Sequence, residues 1–515
     1  MIRRIDIILT IVSGILLVLS FPPFELYLCS WIALLPLLIS LYGKSPKASF
    51  FLGLLNGLVY FSGTIFWVFN PLYFYGGIPL ILSIILVIAL CVYLSLYVGV
   101  FSILFNYLLI RSRFPALFLA PILWVTLEFL RTYAFTGFPW SILGYSQYKF
   151  LILIQIADIT GIYGISFLIM AVNGALFDIL ILPKRQREMP LLERWPMFLG
   201  LALLCIGIVI SFSYGIWRLG INDGNHTIRV SVIQGNIEQD RKWDVRFQRE
   251  IIETYKGLSK EAALKSPFLI VWPETAVPFV FGHDKDLTQE VTEFQKTLGI
   301  HLIFGSVTIK GAKDNEYKLA NSSILLSPDG RVLSTYDKIH LVPYGEYVPL
   351  ERFFPFVKKL VVAAGDFSPG KEYVVMETPF VRIGNLICYE IIFPGLVRKF
   401  AERGANLFVT ITNDAWFGRW GAPYQHFSMA VLRAVENRVP VVRAANTGVS
   451  GFIDAKGRIK KKSDIFMRSV LTEDLSVGAF KKSFYSRYGD IFTFFCIISS
   501  IILVANNIPP LRGWR

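Results

Sequence analysis

Charge is scarce in this sequence. Only 17% of its 515 residues are charged, and residues 48–110 carry no charged side chain at all. Soluble domains average roughly 25% charged residues, so a purely soluble fold is excluded for the first half of the chain. Cysteine is also sparse: Cys29, Cys91, Cys205, Cys388 and Cys496 are the only five, and no CxxC pair occurs. That excludes a disulfide framework and a zinc ribbon. His226, His283, His301, His340 and His426 are scattered, which argues against a metal centre, and no cofactor is expected. No repeat of about 20–50 residues and no low-complexity tract is present. A net charge of +14 would suit nucleic acid, but the basic residues form short clusters between apolar runs rather than one patch. Such clusters set membrane orientation instead.

What the chain has in abundance is apolar side chains, 54% of the total. A window of about 19 residues finds spans near 5–21, 24–42, 48–69, 78–108, 114–131, 160–182, 197–217 and 489–507, eight in all. The first is not read as a cleaved signal peptide. No small-residue cleavage site follows it, and Phe21-Pro22-Pro23-Phe24 leads straight into the next span. Arg3 and Arg4 precede the first span, and Lys44 and Lys47 follow the second. Arg111 and Arg113 follow the fourth, Lys184, Arg185 and Arg187 the sixth, and Arg512 and Arg515 the last. Positive charge remains inside. The expectation is therefore cytoplasmic termini, with the segment between the seventh and eighth spans outside.

That segment divides the chain into a membrane domain over 1–217, a soluble domain over 218–488, and a final span with its tail over 489–515. Charge returns in the middle part, and short β-branched runs alternate with amphipathic stretches. Strands are predicted at 228–233, 268–272, 302–308, 321–326, 331–337, 381–387, 407–412 and 441–445. Helices are predicted near 244–264, 286–298, 394–403 and 424–437. Ser327-Pro328-Asp329-Gly330 and Asp454-Ala455-Lys456-Gly457 are hairpin turns.

Three reactive groups fall at predicted strand ends, where open α/β sheets place their sites. Glu274 closes the run Val271-Trp272-Pro273-Glu274, Lys338 follows Tyr336-Asp337, and Cys388 follows Leu386-Ile387. Singly, each has a bland reading: a core cysteine, a turn glutamate, a solvated strand-end lysine. Of the five cysteines only Cys388 lies among charged residues; the other four sit in apolar runs, where cysteine packs as a small hydrophobe.

The ordered set WPE (272–274), DK (337–338) and CYE (388–390) resembles the Glu–Lys–Cys triad of the nitrilase, or carbon–nitrogen hydrolase, superfamily. With eight spans around it, the chain resembles that superfamily's membrane branch, the apolipoprotein N-acyltransferase family. Matching stretches are FPPF (21–24), TGFPW (136–140), GYSQ (144–147), QGNI (234–237), KW (242–243), PYGEYVP (343–349), NDAWFG (413–418) and RAANTG (443–448). The resemblance implies a polytopic helical membrane domain joined to an α-β-β-α sandwich, placed in a bacterial inner membrane with the sandwich in the periplasm. It also implies Cys388 as nucleophile, Glu274 as general base and Lys338 as the cation at the oxyanion. Glu346, Tyr389 and Glu390 are implied in support, with Glu346 holding Lys338 and Glu390 orienting Lys338 or polarising the site. Trp243 is either the wall of an acyl-chain cleft or a structural aromatic. Trp416 and Phe417 look like a site-edge loop. Trp140 and Tyr145 belong either to an interfacial belt or to the wall of a lipid path.

The implied reaction moves a fatty acyl group from a membrane phospholipid through a Cys388 thioester to the α-amine of a diacylglyceryl-cysteine apolipoprotein. Two alternatives stand beside it. One is a membrane-anchored amidase or nitrilase with the same triad. The other is a transporter or receptor with a non-catalytic outer domain, which would need charges lining a path that 48–110 does not supply.

Overall fold

The computed structural model describes residues 2–112, 114–186, 195–221, 224, 226–313, 316–347, 367–478 and 482–507. Arg113, Arg187, Arg512 and Arg515, used above for orientation, lie outside the described residues, as do Val348 and Pro349 of the PYGEYVP stretch. The chain forms two units. One comprises Met1–Phe66, Ile84–Gly220 and Asp490–Arg515, the other Trp67–Ser83 and Ile221–Gly489. Trp67–Ser83 lies within the first 217 residues yet groups with the α/β unit, a departure from a simple division at 217.

The first unit is helical. Among the described residues, five helices are long and apolar enough to cross a membrane: Pro46–Tyr75, Leu80–Arg111, Ala116–Tyr133, Ile162–Ile181 and Trp195–Gly220. Large apolar side chains such as Ile206 and Val209 are exposed on them, as expected where lipid is the solvent. The expected count of eight is not reached on these terms. Arg4–Leu19 and Ile491–Asn507 have 16 and 17 residues, about 24–26 Å of rise against a hydrocarbon core of about 30 Å. The expected span at 24–42 is broken into Tyr27–Cys29, Ser30–Ala33 and Leu35–Leu41, with Pro36 in the first turn of the last. Asn173 supports the break: its Oδ1 accepts the main-chain N–H groups of Leu34 and Leu35, both at 2.9 Å.

Other buried polar groups in this unit do similar work. Asp178 accepts the N–H groups of Ala116 and Leu117 at 3.0 and 2.9 Å, capping the helix that begins there. Glu128 and Arg131, three apart on one helix, both serve the loop that follows. Glu128 accepts from Leu143 N at 2.7 Å, and Arg131 donates to the carbonyls of Trp140 and Ser141. Asp158 accepts from Tyr214 and Arg218.

The second unit is built on two six-stranded sheets. The first has β1 (His226–Gln234), β2 (Leu269–Val271), β3 (His301–Lys313), β4 (Glu316–Leu326), β5 (Val332–Asp337) and β12 (Ser469–Val477), in the order β12-β1-β2-β3-β4-β5. The second has β6 (Val375–Glu377), β7 (Arg382–Ile387), β8 (Leu407–Thr412), β9 (Val441–Ala445), β10 (Gly451–Ile453) and β11 (Ile459–Lys462), in the order β11-β10-β9-β8-β7-β6. In each sheet three central strands run parallel and the outer pairings are antiparallel. The two halves therefore share one plan that no sequence repeat announces.

Helices Gln248–Ala263 and Lys285–Leu298 connect the parallel strands of the first sheet. Pro394–Glu402 and Ala422–Asn437 connect those of the second. Parallel strands covered on both faces read as unbroken apolar runs, and Leu269-Ile270-Val271 is fully buried along its length. Tyr255 stacks on Trp272 with ring centres 5.1 Å apart, and the Trp272 indole donates to Ser259 at 2.8 Å. This core fixes β2 directly beneath the turn that carries Glu274.

Candidate active site

Glu274, Lys338 and Cys388 follow β2, β5 and β7, and their turns are anchored by specific contacts. The Glu274 turn crosses β3 at Gly305, whose N–H donates to the Pro273 carbonyl at 3.1 Å. A Cβ at Gly305 would sit 2.7 Å from the Glu274 Cα, so glycine is required for this approach. Four non-glycine residues here hold the left-handed backbone region: Asn236, Thr275, Tyr344 and Cys388, with φ between 45° and 62°. Such strain collects where a fold over-determines a site.

The Glu274 carboxylate has three neighbours. Oε1 accepts from Asn321 Nδ2 at 2.8 Å and lies 3.6 Å from the Lys338 ammonium, while Oε2 accepts from Asn413 N at 3.0 Å. Lys338 is buried and also sits 2.9 Å from both Glu346 oxygens. Burial opposes its charge, but Glu346 and Glu274 outweigh it and raise its pKa above the ordinary lysine value. Lys338 is thus a permanent cation. Glu346 is hooked in place, its Oε2 accepting from Val342 N and its Oε1 from Asn321 Nδ2, both at 2.8 Å. Asn321 therefore bridges the two carboxylates.

Cys388 begins the 3₁₀ turn Cys388–Ile392 immediately after β7. Burial, and then the neighbouring Glu274 carboxylate, push its thiol pKa up, against the opposing pull of Lys338. Burial and the Glu274 charge thus favour the neutral thiol over the thiolate, in spite of Lys338. Behind it, His426 Nε2 lies 3.1 Å from the Cys388 carbonyl. The imidazole pKa is lowered by burial and by the Arg443 guanidinium. A ring nitrogen facing a carbonyl must donate, so Nε2 carries a proton, while Nδ1 lies 2.9 Å from Arg443 Nη2 and 3.1 Å from Asp414 Oδ1. Arg443 also pairs with Asp414 at 2.8 Å. Burial favours the protonated Asp414, yet Arg443 and His426 prevail and hold its pKa at about 2.

Glu390 touches neither Lys338 nor Cys388 through a hydrogen bond. Its carboxylate accepts from Tyr336 OH, Ile339 N, His340 N and Ile387 N. Burial pushes its pKa up to about 7, but four donors and no acceptor favour the ionised form. It ties the backbone after Lys338 to the strand before Cys388. Tyr389 is buried, with its ring 5.1 Å from Phe393.

Trp243 is 46% exposed and follows Lys242, whose ammonium donates to the Glu274 main-chain carbonyl at 2.9 Å. The loop from Asn413 runs on to Trp416, which meets Tyr75 edge-on, and to Phe417, which meets Trp67. Asn70 Nδ2 donates to the Phe417 carbonyl at 2.8 Å. Trp140 and Tyr145 belong to the helical unit and are buried there, so neither ring offers the exposed surface of an interfacial belt. Asn321, Lys242, His426 and Arg443 were not singled out from sequence. Lys242 and Arg443 do fall in matching stretches (KW and RAANTG), which was the only available signal.

A buried carboxylate, an ammonium and a thiol at adjoining strand ends of an α-β-β-α sandwich define a nitrilase-type domain. The Carbon-nitrogen hydrolase family model matches residues 229–482. An amidase of the nitrilase superfamily from Nesterenkonia is 20% identical with a TM-score of 0.38, over 50% of this chain and 93% of that one. The Apolipoprotein N-acyltransferase N-terminal domain model matches residues 13–175. The chain belongs to the apolipoprotein N-acyltransferase family. The relative from Geobacter metallireducens is 43% identical over 98% of this chain and 95% of its own length. Those from Pasteurella multocida and Chlorobaculum tepidum are 32% and 30% identical, over 91% and 95% of this chain and 89% and 94% of their own.

Proposed function

We propose that this protein is an acyltransferase that moves a fatty acyl chain from a membrane phospholipid to the α-amine of a diacylglyceryl-cysteine apolipoprotein. The observation that carries this reading is the buried Lys338 ammonium between Glu274 and Glu346, beside a neutral thiol, in a chain with five long apolar helices.

Glu274 takes the Cys388 proton as sulfur attacks the ester carbonyl. Lys338 and the main-chain N–H of Tyr389 meet the developing oxyanion, and Glu274 returns the proton to the lysophospholipid alkoxide. The amine then attacks the thioester. Glu346 and Asn321 hold Lys338 and Glu274 in register, and Glu390 fixes the two turns on which Lys338 and Cys388 ride. Trp243, Trp416 and Phe417 wall the acyl chain, with Trp140 and Tyr145 supporting the membrane side. The catalytic domain over 218–488 faces the periplasm from the inner membrane, with both termini in the cytoplasm.

A water-soluble amide would need one anchor, whereas two bilayer-bound substrates favour a membrane-embedded enzyme, which sets the amidase alternative aside. Mass spectrometry of a client lipoprotein's N-terminal peptide tests the reading. One acyl mass should be missing when this gene is silenced and return on complementation; identical masses in both strains would reject it.

A further inference from the structure

Two lysines are buried beside Glu274, and they are treated in opposite ways. Lys338 has two carboxylates within 3.6 Å. Lys242 ends the short helix Gln239–Lys242, is 1% exposed, and among the described residues meets one acceptor, the uncharged Glu274 carbonyl. An ammonium carries three N–H donors, so two are without a protein partner among the described residues. The segment cannot swing away to solvent. Gln239 accepts from Asn413 Nδ2 at 2.7 Å, and Ile237 N donates to Asn446 at 2.9 Å. On its own helix, Arg241 is engaged by Glu250, and Asp240 lies towards Tyr75. The titratable groups facing Lys242 are Glu274 and Cys388. Burial outweighs both and brings its pKa down to about 8.

The two half-reactions differ in their protons. In the first, the thiol proton passes through Glu274 to the leaving alkoxide, and none is left over. In the second, Cys–S–CO–R and R′–NH3⁺ give Cys–SH, R′–NH–CO–R and one H⁺. The C–S bond breaks, the C–N bond forms, and the ammonium loses two protons. Glu274 carries one to the leaving sulfur, and the other needs a second acceptor.

We propose that Lys242 is that acceptor: as a free amine anchored on the Glu274 carbonyl, it takes the proton from the arriving α-ammonium and passes it to solvent. This rests on the acyl-transfer reading above. An α-amine titrates near 8 (about 7.7–8.0), so the transfer is close to isoenergetic, the condition under which proton transfer is most effective. A protonated Lys242 would instead repel the incoming cation. Second-step turnover should therefore rise with pH as Lys242 loses its proton near 8.

Single-turnover measurements on the purified full-length protein separate the halves. Acylation is followed with phospholipid vesicles alone, then aminolysis with a synthetic diacylglyceryl-cysteine lipopeptide, from pH 6 to 9.5. Lys242→Met removes both roles, whereas Lys242→Arg keeps a donor for the Glu274 carbonyl but does not release its proton. In both variants aminolysis at pH 7 should fall at least tenfold more than acylation, with the deficit closing towards pH 9 as the lipopeptide ammonium loses its proton unaided. Parallel loss of both halves would reduce Lys242 to a clamp on Glu274 and overturn the proposal, as would unimpaired aminolysis in Lys242→Arg. If Lys242→Met fails to fold, Lys242→Arg decides alone. Absence of any acyl-enzyme in the wild type would sink the acyl-transfer reading itself, and this proposal with it.

Discussion

Replacing Glu346 by Gln removes one negative charge from the Lys338 site and turns one of its two acceptor oxygens into an amide donor. Glu346 supplies the closer of the two counter-ions, with both oxygens 2.9 Å from the Lys338 ammonium against 3.6 Å for Glu274. Breaking a buried pair costs about 3–5 kcal/mol. Gln keeps a carbonyl oxygen for Lys338, and a hydrogen bond to a charged group is worth about 1.5–3 kcal/mol, leaving a net loss near 2 kcal/mol. With Lys338 drawn towards Glu274, that loss falls on both the oyxanion donor and the base. Acylation of Cys388 should slow by roughly 25-fold at 1.4 kcal/mol per decade. Glu346→Ala, which loses the acceptor as well, should slow it by about 10³-fold. Stopped acylation assays with phospholipid and intact-protein mass spectrometry measure both. Gln and Ala variants within threefold of each other would refute the claim that Glu346 acts through the charge and position of Lys338.

Asn321→Leu removes the bridge that donates to Glu274 and Glu346 at 2.8 Å each. With two charge-assisted bonds gone, acylation should fall about 10²-fold, while phospholipid binding, measured by vesicle co-sedimentation, stays unchanged. His426→Leu deletes the donor to the Cys388 carbonyl, so the maximal acylation rate should drop about tenfold, the cost of roughly one hydrogen bond, with KM preserved. His426→Gln, which retains an N–H donor, should recover most of it; equal defects in the two variants would make His426 merely a packing residue.

Sequence placed the candidate trio because each member closes a predicted strand: Pro273-Glu274 after β2, Lys338 after β5, Cys388 after β7. Strand ends are where periodicity stops, so they are legible. Asn321 was not, since it opens the polar run Asn321-Ser322-Ser323, which reads as the solvated start of a strand although β4 extends five residues before it. Lys242 stands in Asp240-Arg241-Lys242, which looks like a solvated charge run; only the fold buries the third of these side chains. His426 lies 38 positions from the carbonyl it contacts, a separation with no local trace. Strands β6 and β10 have three residues each, too few to display a period of two. In the helical unit, hydropathy alone made 24–42 one span, because a window average does not register the break before Pro36 or the Asn173 side chain that satisfies it.

The central claim is that Cys388 carries the acyl chain between two substrates. Incubating the purified full-length protein with phospholipid vesicles and no lipoprotein should add one acyl mass to the peptide containing Cys388, in a hydroxylamine-labile bond. The adduct should be absent in Cys388→Ala and strongly reduced in Glu274→Gln, with the Gln variant recovering at high pH more than Lys338→Ala does, since hydroxide can replace a base but not an oriented cation. A wild-type protein that turns over with lipoprotein yet never yields that adduct would contradict the thioester account and require direct transfer.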